Sequence, residues 1–169
     1  MKLAIPDPAL VLLIGPAGAG KSTFAHAHFR QVEIVSSDAL RQLLSNDPAD
    51  QGASAEAFKI LALLVEGRLK RRLTTVVDAT SLRAADRARY RAMAARHGIP
   101  VVAIAFDLAA AIYHARNRGR ASRVVEAEVI GSQVEQMQRA LSALPGEGYA
   151  ALYVIGDGGA AEVEVVRPA

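Results

Sequence analysis

The sequence contains no cysteine and few aromatic residues. Its 169 residues include no tryptophan, four phenylalanines and four tyrosines. Without cysteine the protein can form neither disulfide bonds nor thiolate metal sites, which fits a reducing cytoplasm. No apolar run approaches the roughly 20 residues that a membrane span requires, and the opening MKLAIPDP lacks the apolar core of a signal peptide. We therefore expect a cytoplasmic location and no membrane partner.

The overall composition is that of an ordinary folded α/β domain. Hydrophobic residues make up 51% of the chain and charged residues 22%, which argues against disorder and against a fibrous structure. A chain of this length can bury a substantial core, and no repeat, linker or break in composition divides it. We predict a single domain over residues 1–169.

The basic residues are weighted toward arginine. Sixteen of the 20 Lys and Arg residues are arginine, and the formal net charge is +3. Arginine suits phosphate-rich partners because its guanidinium fork matches phosphate oxygens. The net charge is modest, and the preference for arginine over lysine is also explained by codon composition. The overall charge therefore does not decide whether nucleic acid is a partner.

Apolar runs alternate with helical patterns along the chain. Nearly continuous apolar runs are typical of strands buried on both faces of a parallel sheet. The candidate strands are 9–14, 32–35, 74–77, 101–106 and 151–155, with a further short edge strand near 162–166. The candidate helices are 21–30, 38–44, 55–72, 84–97, 109–118 and 126–144. This order predicts a three-layer α/β fold with a mostly parallel five-stranded sheet and helices on both faces.

The stretch GPAGAGKST, residues 15–23, follows the first long apolar run. Its glycines allow the backbone N–H groups to curl toward an anion, and the helix that follows directs its positive end to the same point. Lys21 can reach the β and γ phosphates, while the Ser22 hydroxyl can bind Mg²⁺. The pattern predicts a P-loop NTPase fold that binds Mg²⁺ and ATP, GTP or another nucleoside triphosphate. The predicted donor site contains Gly15, Gly18, Ala19, Gly20, Lys21, Ser22 and Thr23.

A carboxylate and a guanidinium follow the second strand, in IVSSDALR. If Asp38 begins a helix, Arg41 lies on the same face, about 5 to 6 Å away between Cβ atoms. Strand ends in an open α/β sheet face the ligand crevice, so the pair can serve an acceptor: Asp38 as base for a hydroxyl and Arg41 as anion binder. The alternative is a helix cap at residues 36–38 with a solvated Arg41.

Asp78 ends the third strand, in TTVVDAT, and is expected at the same crevice. It either holds a Mg²⁺-bound water in the manner of a Walker B aspartate or caps the next helix together with Thr80. The predicted metal site is Ser22 with Asp38 or Asp78, and the sequence leaves open which carboxylate serves the metal.

Two arginine clusters accompany these motifs. RNRGRASR, residues 116–123, fits an arginine-rich lid over about residues 116–128 that closes on bound triphosphate, or else a solvated basic turn. Arg83, Arg87 and Arg91 form a stripe along one helix, either a solvated face or a contact for a nucleic-acid backbone.

The motifs GPAGAGKST, SSDALR, VVDAT and RNRGRASR, in that order and spacing, resemble the kinase domain of bacterial polynucleotide kinase-phosphatases. The resemblance extends over essentially the whole chain. It implies transfer of the γ-phosphate of ATP or another triphosphate to the 5′-hydroxyl end of RNA or DNA during end healing and repair. The catalytic residues that it implies are Lys21, Asp38, Arg41 and Arg123.

The resemblance also implies a role for each site residue. Lys21 and Ser22 would engage phosphates and Mg²⁺, Asp38 would activate the 5′-hydroxyl, and Arg41 would hold the next phosphodiester. The implied lid arginines on the donor phosphates are Arg116, Arg120 and Arg123. The implied contacts to the acceptor nucleoside are Gln51, Val129 and Gln133.

Members of that family usually carry a phosphatase and a ligase-like module after the kinase. Neither pattern is present in these residues, so we expect an excised kinase domain or a stand-alone version. Two other classes remain: a small-molecule kinase on the same scaffold, and a nucleotide-binding module without transfer chemistry. The sequence fixes neither the RNA or DNA preference, nor the donor base, nor the oligomeric state.

Overall fold

The structure, a computed structural model, describes residues 1–119, 124–158 and 162–167. The described strands are β1 (Lys2–Ala4), β2 (Leu10–Ile14), β3 (Ile34–Ser36), β4 (Thr75–Asp78), β5 (Val101–Phe106), β6 (Ala151–Ile155) and β7 (Glu164–Val166). The described helices are α1 (Lys21–His28), α2 (Ser37–Ser45), α3 (Ser54–Lys70), α4 (Ala84–Arg96), α5 (Ala110–Arg118) and α6 (Ala127–Ala143). No helix in these ranges is long and apolar enough to cross a membrane.

The core is a five-stranded parallel sheet with the order β3-β4-β2-β5-β6. The central strand β2 is buried on both faces, because its side chains alternate between two apolar clusters. Leu10, Leu12 and Ile14 pack with residues of α3 and α4, whereas Val11 and Leu13 pack with residues of α1 and α5. The predicted three-layer α/β fold with a mostly parallel five-stranded sheet is confirmed.

The two ends of the chain form a second, smaller sheet. β1 pairs in parallel with β7, with Lys2 opposite Glu164 and Ala4 opposite Val166. The sequence indicated a short edge strand near 162–166 but not its partner. β1 is only three residues long, and one of them, Leu3, is buried. So short a pattern in the sequence does not predict a strand, nor its pairing with a strand at the other end of the chain.

A buried acidic residue ties the carboxyl-terminal segment to the start of β3. Glu33 is 1% exposed and accepts hydrogen bonds from both terminal nitrogens of Arg167, at 2.8 and 2.7 Å. It also accepts from the backbone N–H of Arg30 at 2.9 Å. The hydrogen bond from Arg167, together with those from Arg30 and against the opposing effect of burial, lowers the pKa of Glu33 to about 2.

Because the sheet is parallel, β2, β3 and β4 all end at one edge. β2 leads into residues 15–20, β3 into α2, and β4 into residues 79–83.

The predicted lid covers about residues 116–128. Its described residues belong to the end of α5 and to the start of α6 with the residues just before it. Arg120 and Arg123 lie outside the described residues.

Candidate active site

The loop after β2 has the backbone conformation of a phosphate-binding loop. Gly18 and Gly20 have φ angles of +82° and +89°, in the left-handed region where residues with a Cβ are strained. A Cβ at Gly18 would also lie 2.5 Å from the carbonyl oxygen of Tyr113. Gly20 is the N-cap of α1, so the positive end of the helix follows the loop directly and favours an anion there.

Lys21 folds back over this loop. Its ammonium donates to the carbonyl oxygens of Gly15 and Pro16, both at 2.8 Å, and the residue is 8% exposed. These carbonyls hold the ammonium beside the anion-binding end of α1. A triphosphate bound there would meet the charge of Lys21 with little rearrangement of the backbone.

Asp38 and Arg41 form an ion pair on the first turn of α2. Arg41 donates from one terminal nitrogen to the Asp38 carboxylate at 2.5 Å. Ser36, and not Asp38, caps the helix, because its hydroxyl accepts from the backbone N–H of Ala39 at 3.3 Å. The alternative of a cap at residues 36–38 with a solvated Arg41 is therefore confirmed for the cap, which is Ser36, and wrong for Arg41, which is 5% exposed.

Two residues of α3 that the sequence motifs did not indicate fix the orientation of Arg41. Its Nε donates to the Ser54 hydroxyl at 2.9 Å, and its guanidinium carbon lies 5.7 Å from the centre of the Phe58 ring. Ser54 and Phe58 are four residues apart and therefore share one helix face. The only sequence signal for them was this spacing at the start of a helix, which carries no chemistry by itself.

A cleft of about 770 Å³ joins the phosphate loop to this pair. Residues of the sequence-predicted site that line it are Gly18, Gly20, Lys21, Ser22, Thr23, Asp38, Arg41, Gln51, Asp78, Arg116, Val129 and Gln133. Gly15 and Ala19 are not among its lining residues. Val124 and Glu126, within the predicted lid range, also line the cleft, as do residues that the sequence did not indicate, among them Ala49, Ser54 and Phe58.

Gln133 contacts the phosphate loop directly. Its side-chain oxygen accepts from the backbone N–H of Ala17 at 2.8 Å, which ties α6 to the loop. The acceptor contact that the resemblance implied for Gln133 stays a prediction, and this hydrogen bond gives the residue a structural role at the phosphate loop.

Oxygen groups suitable for a divalent cation line the same cleft. Asp78, at the end of β4, is 5% exposed and pairs in register with Ser36 of β3. Neither Asp78 nor Thr80 caps the following helix, because the N-cap of α4 is Arg83. The Ser22 hydroxyl with a carboxylate of Asp38 or Asp78 is a hard oxygen set that fits Mg²⁺ completed by phosphate and water ligands. The described residues contain no group of three or more acidic, His or Cys side chains that could hold a metal alone.

A second cavity of about 630 Å³ lies on the other side of the phosphate loop. It shares Gly20, Thr23 and Arg116 with the cleft. Its remaining lining is mostly apolar and includes Ala19, Phe24, Ala27, Phe106, Leu108 and Val163. Arg116 lies between the two spaces and donates to the carbonyl oxygen of Ala19 at 3.4 Å.

Comparisons with known proteins agree with this architecture. Residues 10–144 match the protein family AAA_33, described as an AAA domain. A comparison with curated proteins found no significant match.

Solved structures share the fold at low sequence identity. A chain of the Pnkp1/Rnl/Hen1 RNA repair complex is 22% identical, with a TM-score of 0.70 over 82% of this chain and 47% of that one. A gluconokinase from Sinorhizobium meliloti 1021 is 18% identical, with a TM-score of 0.58 over 94% and 88%. The AvrRxo1-ORF1:-ORF2 complex with ATP gives 14% identity and a TM-score of 0.67 over 89% and 55%. The protein thus spans about half of the RNA repair and AvrRxo1 chains.

The parallel sheet, the glycine loop at its edge and the lysine that follows define a P-loop kinase-like domain, a fold that supports nucleotide binding and phosphoryl transfer. Since the family match extends over most of the sequence, the chain belongs to the AAA_33 family.

Proposed function

We propose that this protein is a polynucleotide 5′-hydroxyl kinase that acts in the cytoplasm during nucleic-acid end healing and repair. It transfers the γ-phosphate of ATP, or of GTP or another triphosphate, to the 5′-hydroxyl end of RNA or DNA. The observation that carries the proposal is the Asp38–Arg41 ion pair, which lines the same cleft as the phosphate loop.

The donor triphosphate lies along the phosphate loop. Lys21 and the amino end of α1 bind its β and γ phosphates, and the apolar second cavity receives its nucleoside. The Ser22 hydroxyl, with Asp38 or Asp78 through water, would hold Mg²⁺, which when bound would supply positive charge to the phosphates. Arg116, with Arg120 and Arg123 of the lid, stabilises the moving phosphoryl group.

The acceptor end lies against α2. Asp38 takes the proton of the 5′-hydroxyl, and the oxygen of that hydroxyl forms a bond to the γ phosphorus. The bond from that phosphorus to the β–γ bridging oxygen breaks, and the nucleoside diphosphate leaves. Arg41 binds the phosphate one sugar away. A base and an arginine one helical turn apart therefore suit a strand terminus, which offers a hydroxyl and a phosphate at a short, fixed separation.

Part of the cleft wall offers apolar surface that a nucleoside at the acceptor end could contact. Apolar side chains line that side, among them Phe58, Val124 and Val129, with Gln51 beside them. Phe58 is 37% exposed, and a partly open aromatic ring offers a surface to a sugar or base but no hydrogen-bonding partner to a polyol. Since the phosphates position the strand, we expect tolerance of base sequence.

The test is a transfer assay with γ-labelled triphosphate and Mg²⁺. The acceptors are a 5′-hydroxyl oligonucleotide, the same oligonucleotide with a 5′-phosphate, a single nucleoside and a panel of sugars that includes gluconate. Label on the 5′-hydroxyl oligonucleotide alone supports the proposal. Label on a sugar alone would assign the protein to the small-molecule kinases instead, and label on no acceptor would leave a nucleotide-binding module.

Further phosphatase and ligase modules in a longer native chain are a second part of the proposal. Its support is the resemblance to kinase-phosphatases, which place those modules after the kinase. A genomic reading frame that ends at Ala169 would contradict it.

A further inference from the structure

Arg87 is a buried arginine that the proposed chemistry does not use. It lies on α4 and is 1% exposed. Both sequence interpretations of the stripe, a solvated face or a nucleic-acid contact, are wrong for Arg87, because its guanidinium lies inside the protein. A buried charge is costly unless it is paired and fully hydrogen-bonded, so its partners indicate what it holds in place.

The guanidinium of Arg87 joins two separate parts of the chain. Its Nε and one terminal nitrogen donate to the two carboxylate oxygens of Glu147, at 2.9 and 2.5 Å. Its other terminal nitrogen donates to the carbonyl oxygens of Ser81 and Leu82, at 3.1 and 2.6 Å. The hydrogen bond from Arg87, against the opposing effect of burial, holds the pKa of Glu147 below its ordinary value.

The two carbonyls belong to the segment that follows Asp78 directly. Ser81 has a φ of +49°, a left-handed conformation that costs a residue with a Cβ free energy and persists only where its surroundings fix it. The carbonyl oxygen of Thr80 accepts from the backbone N–H of Gly15 at 3.0 Å. The segment therefore connects Arg87 to the first residue of the phosphate loop.

We propose that Arg87, oriented by Glu147, is a positioning residue that fixes Asp78 and the entry of the phosphate loop relative to each other. The carboxylate of Glu147 fixes the orientation of the Arg87 guanidinium. The guanidinium in turn holds the strained turn at Ser81, and that turn fixes the position of the backbone from Asp78 to Thr80. The inference rests on the proposed function in two places: the kinetic measurement uses the proposed phosphoryl transfer, and the nucleotide measurement takes Asp78 as the carboxylate of the proposed Mg²⁺ site.

The experiment compares Glu147→Gln and Arg87→Lys with wild type. Glutamine keeps the size of Glu147 but loses one acceptor oxygen and the charge, whereas lysine keeps the charge of Arg87 but loses the fork. Glu33→Gln is the matched control, because it removes a buried carboxylate from another two-pronged arginine pair at the amino edge of the sheet. All measurements are made well below the melting temperature of each variant.

The first measurement is the affinity for a non-hydrolysable ATP analogue with Mg²⁺ and with a chelator. We expect the gain in nucleotide affinity from Mg²⁺ to fall about tenfold in both test variants, because losing a group that orients a metal-binding carboxylate typically lowers metal affinity by about 10- to 100-fold. The second measurement is oligonucleotide phosphorylation, with kcat lowered about tenfold and the acceptor KM changed less than twofold. Glu33→Gln should match wild type in both.

The inference would be overturned if Mg²⁺ raised the affinity for the ATP analogue as much in both folded variants as in wild type. It would also be overturned if Glu33→Gln reduced this gain in affinity as much as the test variants do. If wild type phosphorylates no oligonucleotide but the nucleotide measurement behaves as expected, the proposed function fails and the positioning role of Arg87 stands.

Discussion

At the scale of single residues, the site depends on which side chain caps α2. Because Ser36 takes the cap, the carboxylate of Asp38 is available to the cleft and to Arg41. Arg41 is in turn held by Ser54 and Phe58. The pair is thus oriented before an acceptor binds, which reduces the entropy lost when it does.

Replacement of Asp38 by asparagine tests the base. Asparagine keeps the shape of the side chain but does not accept the hydroxyl proton, so we expect kcat for oligonucleotide phosphorylation to fall by roughly 10² or more. The control is Asp86→Asn, an exposed carboxylate on α4, which should match wild type. Normal turnover in a folded Asp38→Asn protein would remove the proposed base.

Replacement of Arg41 by alanine tests the phosphate contact. We expect a higher KM for the oligonucleotide and a log–log salt dependence of its binding that is shallower by about 0.7, the contribution of one phosphate contact on a single strand. Arg41→Lys keeps the charge and should retain most of the salt dependence. An unchanged KM and salt dependence in Arg41→Ala would contradict the role of this arginine.

The sequence indicated the parts of the site whose signals are local. The glycine loop and the Asp38–Arg41 spacing are short patterns with a direct chemical meaning. Ser54 and Phe58 reach Arg41 from the next helix, so their role depends on how α2 packs on α3. The sequence pattern suggested a surface position for Arg87, because its partner, Glu147, is 60 residues away in sequence.

At the scale of secondary-structure elements, the loop between β2 and α1 is held from several sides. Gly18 lies against the carbonyl oxygen of Tyr113 on α5, Gln133 of α6 accepts from Ala17, and Thr80 accepts from Gly15. The loop therefore has its phosphate-binding shape because three neighbouring elements fix it.

The apolar runs in the sequence predicted the long strands of the main sheet. The short strand β1 contains no such apolar run, so the sequence did not predict it.

Gly18→Ala tests how tightly the loop is held. The added Cβ would meet the Tyr113 carbonyl oxygen at 2.5 Å with a φ of +82°, so we expect a loss of more than about 1 kcal/mol in the free energy of unfolding and weaker nucleotide binding. The control is Gly131→Ala in α6, where no atom of the described residues outside the local helix backbone lies within 4 Å of the new Cβ. That change should stabilise the protein by about 0.5 to 1 kcal/mol. Equal melting temperatures for the two variants would contradict this account.

At the scale of the whole molecule, Glu33 and Arg167 connect the amino edge of the main sheet to the last described residue of the chain. Nothing in the spacing of these residues indicated the contact, because it depends on the β1–β7 pairing. Tertiary packing, and not local pattern, decided this part of the fold.

The Glu33 cluster predicts a particular acid sensitivity. Since the folded pKa of Glu33 is lowered from 4.5 to about 2, its contribution to stability is present above about pH 4.5 and is lost as the pH falls toward 2. Glu33→Gln should cost about 3 kcal/mol at neutral pH and should make the free energy of unfolding depend less steeply on pH in that window. Chemical denaturation at a series of pH values measures both.

Glu164→Gln is the control for that experiment, because it removes a carboxylate from an exposed pair with Lys2 and should change stability by less than about 0.5 kcal/mol. A pH dependence in Glu33→Gln as steep as that of wild type would show that other carboxylates govern acid unfolding.

The attachment of Arg167 beside Glu33 also fixes the place of the last described residue. Glu33 precedes β3, at the edge of the sheet opposite to the one where the glycine loop, Asp38 and Asp78 lie. A fluorophore or a solid support attached at Arg167 itself would therefore lie away from the cleft. Protein immobilised through that position should bind a nucleoside triphosphate as readily as protein in free solution.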